Sequence, residues 1–419
     1  MAPAIVSALE IGTSQTNILV GEVTDNSVNV IGKASVPSGG VIVKGEVDNV
    51  DAASKVLNRA LEQLDKECVD MLQRSQLMTL VFTGGGVCCK EGRGSVSVCN
   101  QEGIVGEKEI DEAYAMAGSI AKDPDWKGIH TTPVSWKLDG RIVGQPLNQK
   151  GRQLELTALI VLGHLNEMGN LENVVRGSEL ATMDLYHAYA AVCAKEGCIS
   201  EAELDDGVVL VDLGAGCVDY LTAWSGGIHD AGTLKLGFNH VANDLSIGLK
   251  LPFVTCQKLF EDGTLNRALQ ENWRAISVKQ NNGAVKEIKL SSFETIIAAR
   301  VEEIFEEVRK EIQHLPGSGS CTGILTGGGA LYPPALDIFS KVFGVNCRVG
   351  SVADASGSIT DLASPRYSTV WGALKIAAHY QRTLLGDQGG YFSSAIDVMN
   401  NIWVYLPRTF AKLWKAFKF

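Results

Sequence analysis

Short apolar runs separated by polar turns open the chain. Residues 5–11, 17–23 and 28–35 read as three consecutive strands, the kind of meander that starts an α/β domain. The period then changes. Over residues 51–72, Ala53, Val56, Leu57, Ala60, Leu61 and Leu64 recur at helical spacing, which predicts one amphipathic helix. From residue 82 a different texture begins: Gly84-Gly85-Gly86, a short strand at 95–99, an acidic helix at 107–119, and strands at 129–138 and 154–162. This block interrupts the first half, which resumes as helix, strand and helix over 171–194. The second half reads as one α/β unit over 207–226 and 321–380, split by a helical block at 227–319. Within that block Phe293, Ile296, Ile297, Val301, Ile304, Phe305 and Val308 mark the apolar face of a long helix whose other face is acidic.

The last residues carry a separate pattern. A stretch with glycines at 386, 389 and 390 leads to residues 401–419. At 100° per residue, Leu406, Phe410, Leu413, Trp414 and Phe417 gather on one side, and Arg408, Lys412, Lys415 and Lys418 on the other. Pro407 suits a first helical turn. An aromatic apolar face opposite a purely cationic one is the pattern of a helix that lies in the surface of an anionic membrane. Each of the four cations contributes up to about 1 kcal/mol there, so a helix docked on the protein's own body is the weaker reading.

Composition narrows the rest. With 419 residues and 45% hydrophobic content, two or more domains are expected. The net charge of -11 disfavours nucleic acid as a partner, because phosphate neutralisation needs a basic face. Ten cysteines are scattered without metal-ligand spacing, and Cys88 and Cys89 are adjacent, so free thiols in a reducing compartment are expected. Residues 1–4 carry neither a basic region nor a long apolar stretch, so no signal peptide is expected, and no run of 18 apolar residues predicts a membrane span.

The chemistry-bearing feature is a strand and glycine turn that occurs twice. The first copy is Ala8-Leu9-Glu10-Ile11-Gly12-Thr13-Ser14-Gln15-Thr16 and the second is Leu210-Val211-Asp212-Leu213-Gly214-Ala215-Gly216-Cys217-Val218-Asp219. Each reads as a β-hairpin whose turn exposes backbone N–H groups, as an anionic phosphate requires. A third segment, Gly323-Ile324-Leu325-Thr326-Gly327-Gly328-Gly329-Ala330, is an apolar strand ending in three glycines before an expected helix. Two related halves facing one nucleotide follow from the repetition.

In this order the three segments resemble the phosphate and adenosine motifs of the actin, Hsp70 and sugar-kinase superfamily. A closer resemblance, to the FtsA family of bacterial cell-division proteins, rests on Leu9-Glu10-Ile11-Gly12-Thr13, on Ile129-His130-Thr131-Thr132-Pro133-Val134-Ser135-Trp136 inside the interrupting block, and on Ile359-Thr360-Asp361-Leu362-Ala363-Ser364-Pro365-Arg366-Tyr367-Ser368-Thr369-Val370-Trp371-Gly372. The position of the insertion carries the same resemblance. It implies an α/β, actin-like two-lobed ATPase fold: subdomain 1A at 1–81 and 163–206, an inserted 1C at 82–162, 2A at 207–226 and 320–383, 2B at 227–319, a linker at 384–400 and the membrane helix at 401–419.

The resemblance further implies ATP with Mg²⁺ as cofactors. Gly12, Thr13, Ser14, Gln15, Gly214, Ala215 and Gly216 would hold phosphates, and Gly327, Gly328, Gly329 and Lys258 the nucleoside. Asp212 would stand near the cation, with Glu10 as a second catalytic candidate; slow or negligible turnover is expected. Arg300 matches an arginine of the helix that receives the C-terminal peptide of the tubulin homologue FtsZ. The implied role is an ATP-binding filament protein on the cytoplasmic face of the cell membrane at the division septum, anchoring FtsZ, with 1C available to other division proteins. Departures are Ala215 and Cys217 in the second turn, and a Glu-x-x-Lys ribose bracket that reads as Thr255-Cys256-Gln257-Lys258. His187 is a minor candidate for orienting water. A PilM-like pilus scaffold and a small-molecule kinase of the same superfamily are the alternatives.

Overall fold

The computed structural model describes residues 4–24, 27–74, 77–119, 123–279, 283–317, 321–352, 356–357 and 362–386. The expected membrane helix lies outside these residues.

The opening meander forms as expected. β1 (Ala4–Ile11), β2 (Gln15–Val23) and β3 (Val28–Pro37) are antiparallel neighbours, followed by the two-residue strands β4 (Ile42–Val43) and β5 (Glu46–Val47). The expected helix over 51–72 is two helices, α1 (Val50–Leu61) and α2 (Lys66–Arg74). The break has a local cause: the Asp65 carboxylate accepts from the Cys68 N–H at 2.8 Å and starts a new helix there. β6 (Leu77–Phe82) then lies parallel to β1.

The inserted block is β7 (Val87–Ser97), α3 (Glu107–Gly118), β8 (Trp126–Leu138), β9 (Arg141–Val143) and β10 (Gln153–His164), an antiparallel sheet of order β7-β10-β8-β9. β7 is longer than the strand expected at 95–99, because its polar first half pairs with Leu159–Gly163 of β10. A small core of Val96, Ile110, Tyr114, Trp136, Leu154 and Leu156 seals α3 to the sheet. α4 (Leu165–Arg176), β11 (Asp184–Tyr189), α5 (Ala190–Cys198) and α6 (Glu201–Asp206) complete the first half.

The second half repeats the plan. β12 (Val208–Leu213), β13 (Val218–Trp224) and β14 (Gly227–Leu234) form a second meander, so the sheet extends past the boundary drawn at 226. α7 (Phe238–Leu249), α8 (Phe253–Glu261), α9 (Thr264–Gln270), the hairpin of β15 (Ala275–Lys279) and β16 (Val285–Lys289), and α10 (Leu290–Glu311) form the block expected to be helical. β17 (Thr322–Thr326), α11 (Ala335–Phe343), β18 (Asn346–Val349), β19 (Ser356–Gly357) and α12 (Ser368–Gly386) follow.

The two sheets have one topology. The first runs β11-β6-β1-β2-β3, with β19 added beside β3, and the second runs β18-β17-β12-β13-β14. In both, an antiparallel meander continues into two parallel strands, so the β1–β2 and β12–β13 turns occupy equivalent places. Between the sheets run α5 and α12, whose Ala191, Ala194, Trp371, Ala373, Leu374 and Ala377 share one core with Val6 and Leu19 of the first sheet and Leu210 and Ile324 of the second. Burying a large apolar side chain such as Trp371 stabilises this shared core by roughly 2–3 kcal/mol. The core fixes the separation of the two turns.

Candidate functional site

The two turns close in the same way. The Gly12 N–H donates to the Gln15 carbonyl at 2.9 Å, and the Gly214 N–H donates to the Cys217 carbonyl at 3.0 Å. Their carbonyls are tied from behind. In the first, the Gly12 and Ser14 carbonyls accept from the Ser38 hydroxyl and the Ser38 N–H at 2.7 and 2.9 Å; in the second, the Gly214 and Ala215 carbonyls accept from the N–H groups of Phe238 and Asn239 at 3.0 and 2.8 Å. The amides of Thr13, Ser14, Ala215 and Gly216 donate to no group among the described residues, and all four residues line one cleft. The turns themselves touch, since a Cβ on Gly216 would collide with the Thr13 side chain.

Across from the turns stand Gly327, Gly328 and Gly329, which line the same cleft. Gly327 has φ +82°, and a Cβ there would strike the Asp212 carboxylate, so only glycine fits. The helix expected directly after these glycines is a single 3-10 turn at Gly328–Leu331; α11 begins only at Ala335. Pro333 and Pro334 account for the delay, because proline restricts the preceding residue and lacks the N–H a helix needs.

Three carboxylates converge at the base of the cleft. Burial pushes Glu10 up to about 8, with the nearby Asp212 adding to the rise, while an Asn17 amide donating at 3.1 Å opposes it. Burial raises Asp212 to about 6 against a hydrogen bond from Thr369. Asp219 rises to about 7 through burial and the Asp212 charge, although the hydroxyls of Thr83 and Thr233 donate to it at 2.6 and 2.5 Å. Asp219 is a site residue that sequence reasoning did not select. Its signal was present: it faces Asp212 directly in the β12–β13 register. Among the described residues no three His, Cys, Asp or Glu side chains form a ready metal cage.

The remaining sequence expectations divide. Ala215 is not among the residues with positive φ, so the departure from glycine there strains nothing. Cys217 is buried in the cleft wall and burial holds its thiol far up, in the neutral form. Lys258 does not reach the cleft. It is exposed on α8, whereas Gln257, Phe260 and Glu261 of the same helix line the cavity. Gln257 and Phe260, two residues further along with the same spacing, line the cleft in place of Thr255 and Lys258. His187 sits on strand β11; burial lowers it to about 4 and it packs edge-on against Phe82, away from the cleft. Arg300 lies on α10, where its Nε donates to Asp244 at 2.5 Å and its guanidinium meets Glu303 at 3.0 Å.

The cleft holds about 1300 Å³ of empty space, the solvent at its mouth included. Free backbone amides from two sides and carboxylates at the base suit a polyanion with a hydrated divalent cation, a hard ion that keeps several waters.

Comparison with known proteins agrees with this plan. The family model described as "Cell division protein FtsA" matches residues 209–372, and that described as "SHS2 domain inserted in FTSA" matches residues 84–162, more than half of the chain between them. The cell division protein FtsA of Neisseria meningitidis serogroup B is 25% identical over 92% of this chain and 93% of its own length. That of Borreliella burgdorferi is 25% identical over 99% of this chain and 100% of its own. Among solved structures, one titled as the PilM-PilN type IV pilus biogenesis complex aligns at TM-score 0.60 and 15% identity over 90% of this chain and 99% of that one. MreB5 of Spiroplasma citri bound to ADP aligns at TM-score 0.53 and 13% identity, over 91% and 98%. These structural likenesses show the actin-like fold. The doubled sheet, its cleft and the inserted sheet are thus those of a division protein, and the chain belongs to the FtsA family.

Proposed function

We propose that the chain binds ATP with Mg²⁺ in the cleft between its two hairpin turns, assembles into filaments, and holds an FtsZ tail at the membrane of the division site. The observation that carries the nucleotide part is the pair of equivalent turns, each with free amides, facing Gly327–Gly329 across one cavity. Gly12 to Gln15 and Gly214 to Gly216 would hold phosphates, and Asp212 would take the cation through its waters. Bound Mg²⁺ would neutralise phosphate charge and supply the field in which Glu10 and Asp219 give up their protons. The related fold of an ADP-bound MreB supports a nucleotide here.

Membrane attachment rests on the sequence pattern of residues 401–419, with Leu406, Phe410, Leu413, Trp414 and Phe417 opposite Lys412, Lys415 and Lys418. No helix among the described residues is long and apolar enough to cross a membrane. A single interfacial helix binds marginally, so assembly into a filament would strengthen attachment through multivalency. For FtsZ, the surface around Arg300 is the proposed seat. Its guanidinium is partly engaged by Asp244 and Glu303, so an acidic peptide would exchange with these carboxylates rather than meet an empty fork. Electron microscopy on anionic lipid monolayers with ATP, using full-length and 401–419-deleted protein and labelled FtsZ tail peptide, tests the whole reading. Filaments that recruit the peptide only with the full chain support it. Monomers under every condition, or lipid binding unchanged by the deletion, overturn it.

A further inference from the structure

The short hairpin of β4 and β5 leans on both glycine turns. We infer that Lys44, at its tip, meets the terminal phosphate of the bound nucleotide and so lets the protein tell ATP from ADP. This role rests on the nucleotide reading above.

Sequence and backbone place Lys44 at that point. Ile42 pairs with Val47 and Val43 with Glu46, which leaves Lys44 and Gly45 as the two residues of the turn. Both have positive φ, +52° and +78°, the conformation in which a two-residue hairpin turn favours Asn, Asp or Gly over a long side chain. Burial of Ile42 anchors the hairpin in the core of the first lobe. Its tip is hemmed in by backbone. The Gly45 N–H donates to the Thr13 hydroxyl at 3.3 Å, a Cβ on Gly216 would stand 3.0 Å from the Lys44 Cα, and one on Gly84 would stand 3.0 Å from the Lys44 carbonyl oxygen. Lys44 is thereby fixed at the seam where the two glycine turns touch. Its stem spans roughly 6 Å, enough to reach a phosphate oxygen held by the free Gly216 amide.

The second turn sets the direction along the cleft. Its Gly214 and Ala215 carbonyls accept from Phe238 and Asn239, and the Phe238 ring lies 5.1 Å from Phe260 and 6.2 Å from Tyr332 between centroids, an aromatic wall suited to a base. The other end of the same turn, Gly216 and Cys217, abuts the hairpin. A nucleotide with its base on that wall and its phosphates on the turns therefore ends beside Lys44.

Charge agrees with that placement. Glu10, Asp212 and Asp219 line the cleft, and the one cation lining it among the described residues, Arg366, sits beside Gly327, whose N–H donates to the Pro365 carbonyl. A terminal phosphate at the seam thus needs a further cation. Lys44 and Lys235 both lie close enough for their charge to act on the Cys217 thiol in the cleft wall. Lys235 is held by Glu46 at 2.7 Å, whereas Lys44 is exposed and its ammonium has no hydrogen-bond or ion-pair partner among the described residues.

Isothermal titration of the full chain with Mg²⁺ and either ATP or ADP tests the assignment. Glycine suits the positive φ at this position, so the turn survives Lys44→Gly. That variant should lower the ratio of ATP to ADP affinity about tenfold or more, the scale of one charge-assisted hydrogen bond, with ADP affinity unchanged as the sign that the cleft still forms. A ratio that survives Lys44→Gly, or an equal loss for both nucleotides, overturns the assignment alone. So does a ratio kept in Lys44→Gly but lost in Lys235→Met, which would pass the role to Lys235. Wild type that binds neither nucleotide overturns the nucleotide reading as well.

Discussion

Replacing Glu10 by glutamine should make the ligand-free protein more stable while weakening its response to Mg²⁺ and ATP. The folded protein holds Glu10 at about 8, against an ordinary value of 4.5, chiefly because burial disfavours the charge and Asp212 repels it. The folded chain therefore keeps a proton that the unfolded chain releases. Stability is greatest below pH 4.5 and is lost as pH rises towards 8. At pH 8 the full shift would cost roughly 4 kcal/mol, and because Glu10 lines the open cleft and is only partly buried, solvent screening reduces this to about 2–3 kcal/mol. Glutamine carries no charge in either state, and its carbonyl can still accept from the Asn17 amide, so that cost disappears. For a lobe-sized unit this corresponds to a rise in Tm of several degrees, roughly 4–10 °C. At pH 5 the difference should fall below about 1 kcal/mol, because that pH lies only half a unit above the ordinary value of 4.5 and the linkage has accumulated over that short interval alone. Calorimetric scans of both proteins at pH 5 and pH 8, without and with Mg²⁺ and ATP, measure it. An unchanged or lower Tm for Glu10→Gln at pH 8, or a gain equal at both pH values, would refute the reasoning.

Other outcomes follow from named contacts. Gly214→Val should abolish binding of a fluorescent ATP analogue, since its Cβ would come within 2.8 Å of the Cys217 carbonyl; wild-type binding by this variant would sink the turn assignment. Arg300→Glu should weaken FtsZ tail binding at least tenfold by placing a third carboxylate beside Asp244 and Glu303, with ATP affinity unchanged. An unchanged peptide affinity would move that site elsewhere. Trp414→Glu should release the protein from vesicles at any salt concentration, whereas neutralising Lys412 and Lys415 should release it mainly from anionic vesicles, because salt screens charge over about 8 Å under physiological conditions. Sedimentation with vesicles of both kinds separates the two contributions.

The parts of this molecule that were legible in its sequence are those where the residue pattern and the local backbone coincide. Gly12 and Gly214 each follow an apolar strand with one acid, and both turns form with matching hydrogen bonds. The misreadings came where the deciding contact is distant or the motif is incomplete. Asp65 ends a period that otherwise runs unbroken through Leu64, and nothing but its hydrogen bond to Cys68 reveals the second helix. β14 falls inside the block expected to be helical because its Gly227, His229 and Asp230 are polar or small, yet pairing with β13 keeps it in the sheet. Lys258 has no acid beside it to fix the register of its motif; the face of α8 that meets the cleft is set by Cys256 and Leu259 packing into the core, which turns Gln257 and Phe260 toward the cavity and leaves Glu261 exposed at its rim. Asp219 was overlooked because its partners, Thr83 and Thr233, come from two other strand ends.

Two turns and one glycine strand end, far apart in the chain, are proposed to grip one nucleotide. Hydrogen exchange of the full chain, with and without Mg²⁺ and ATP, reads this directly through the amides themselves. Simultaneous slowing at residues 12–15, 214–217 and 327–329 is the expected result, since the free amides of Thr13, Ser14, Ala215 and Gly216 would all acquire a phosphate partner. Protection confined to one turn, or appearing only outside these three segments, would contradict it.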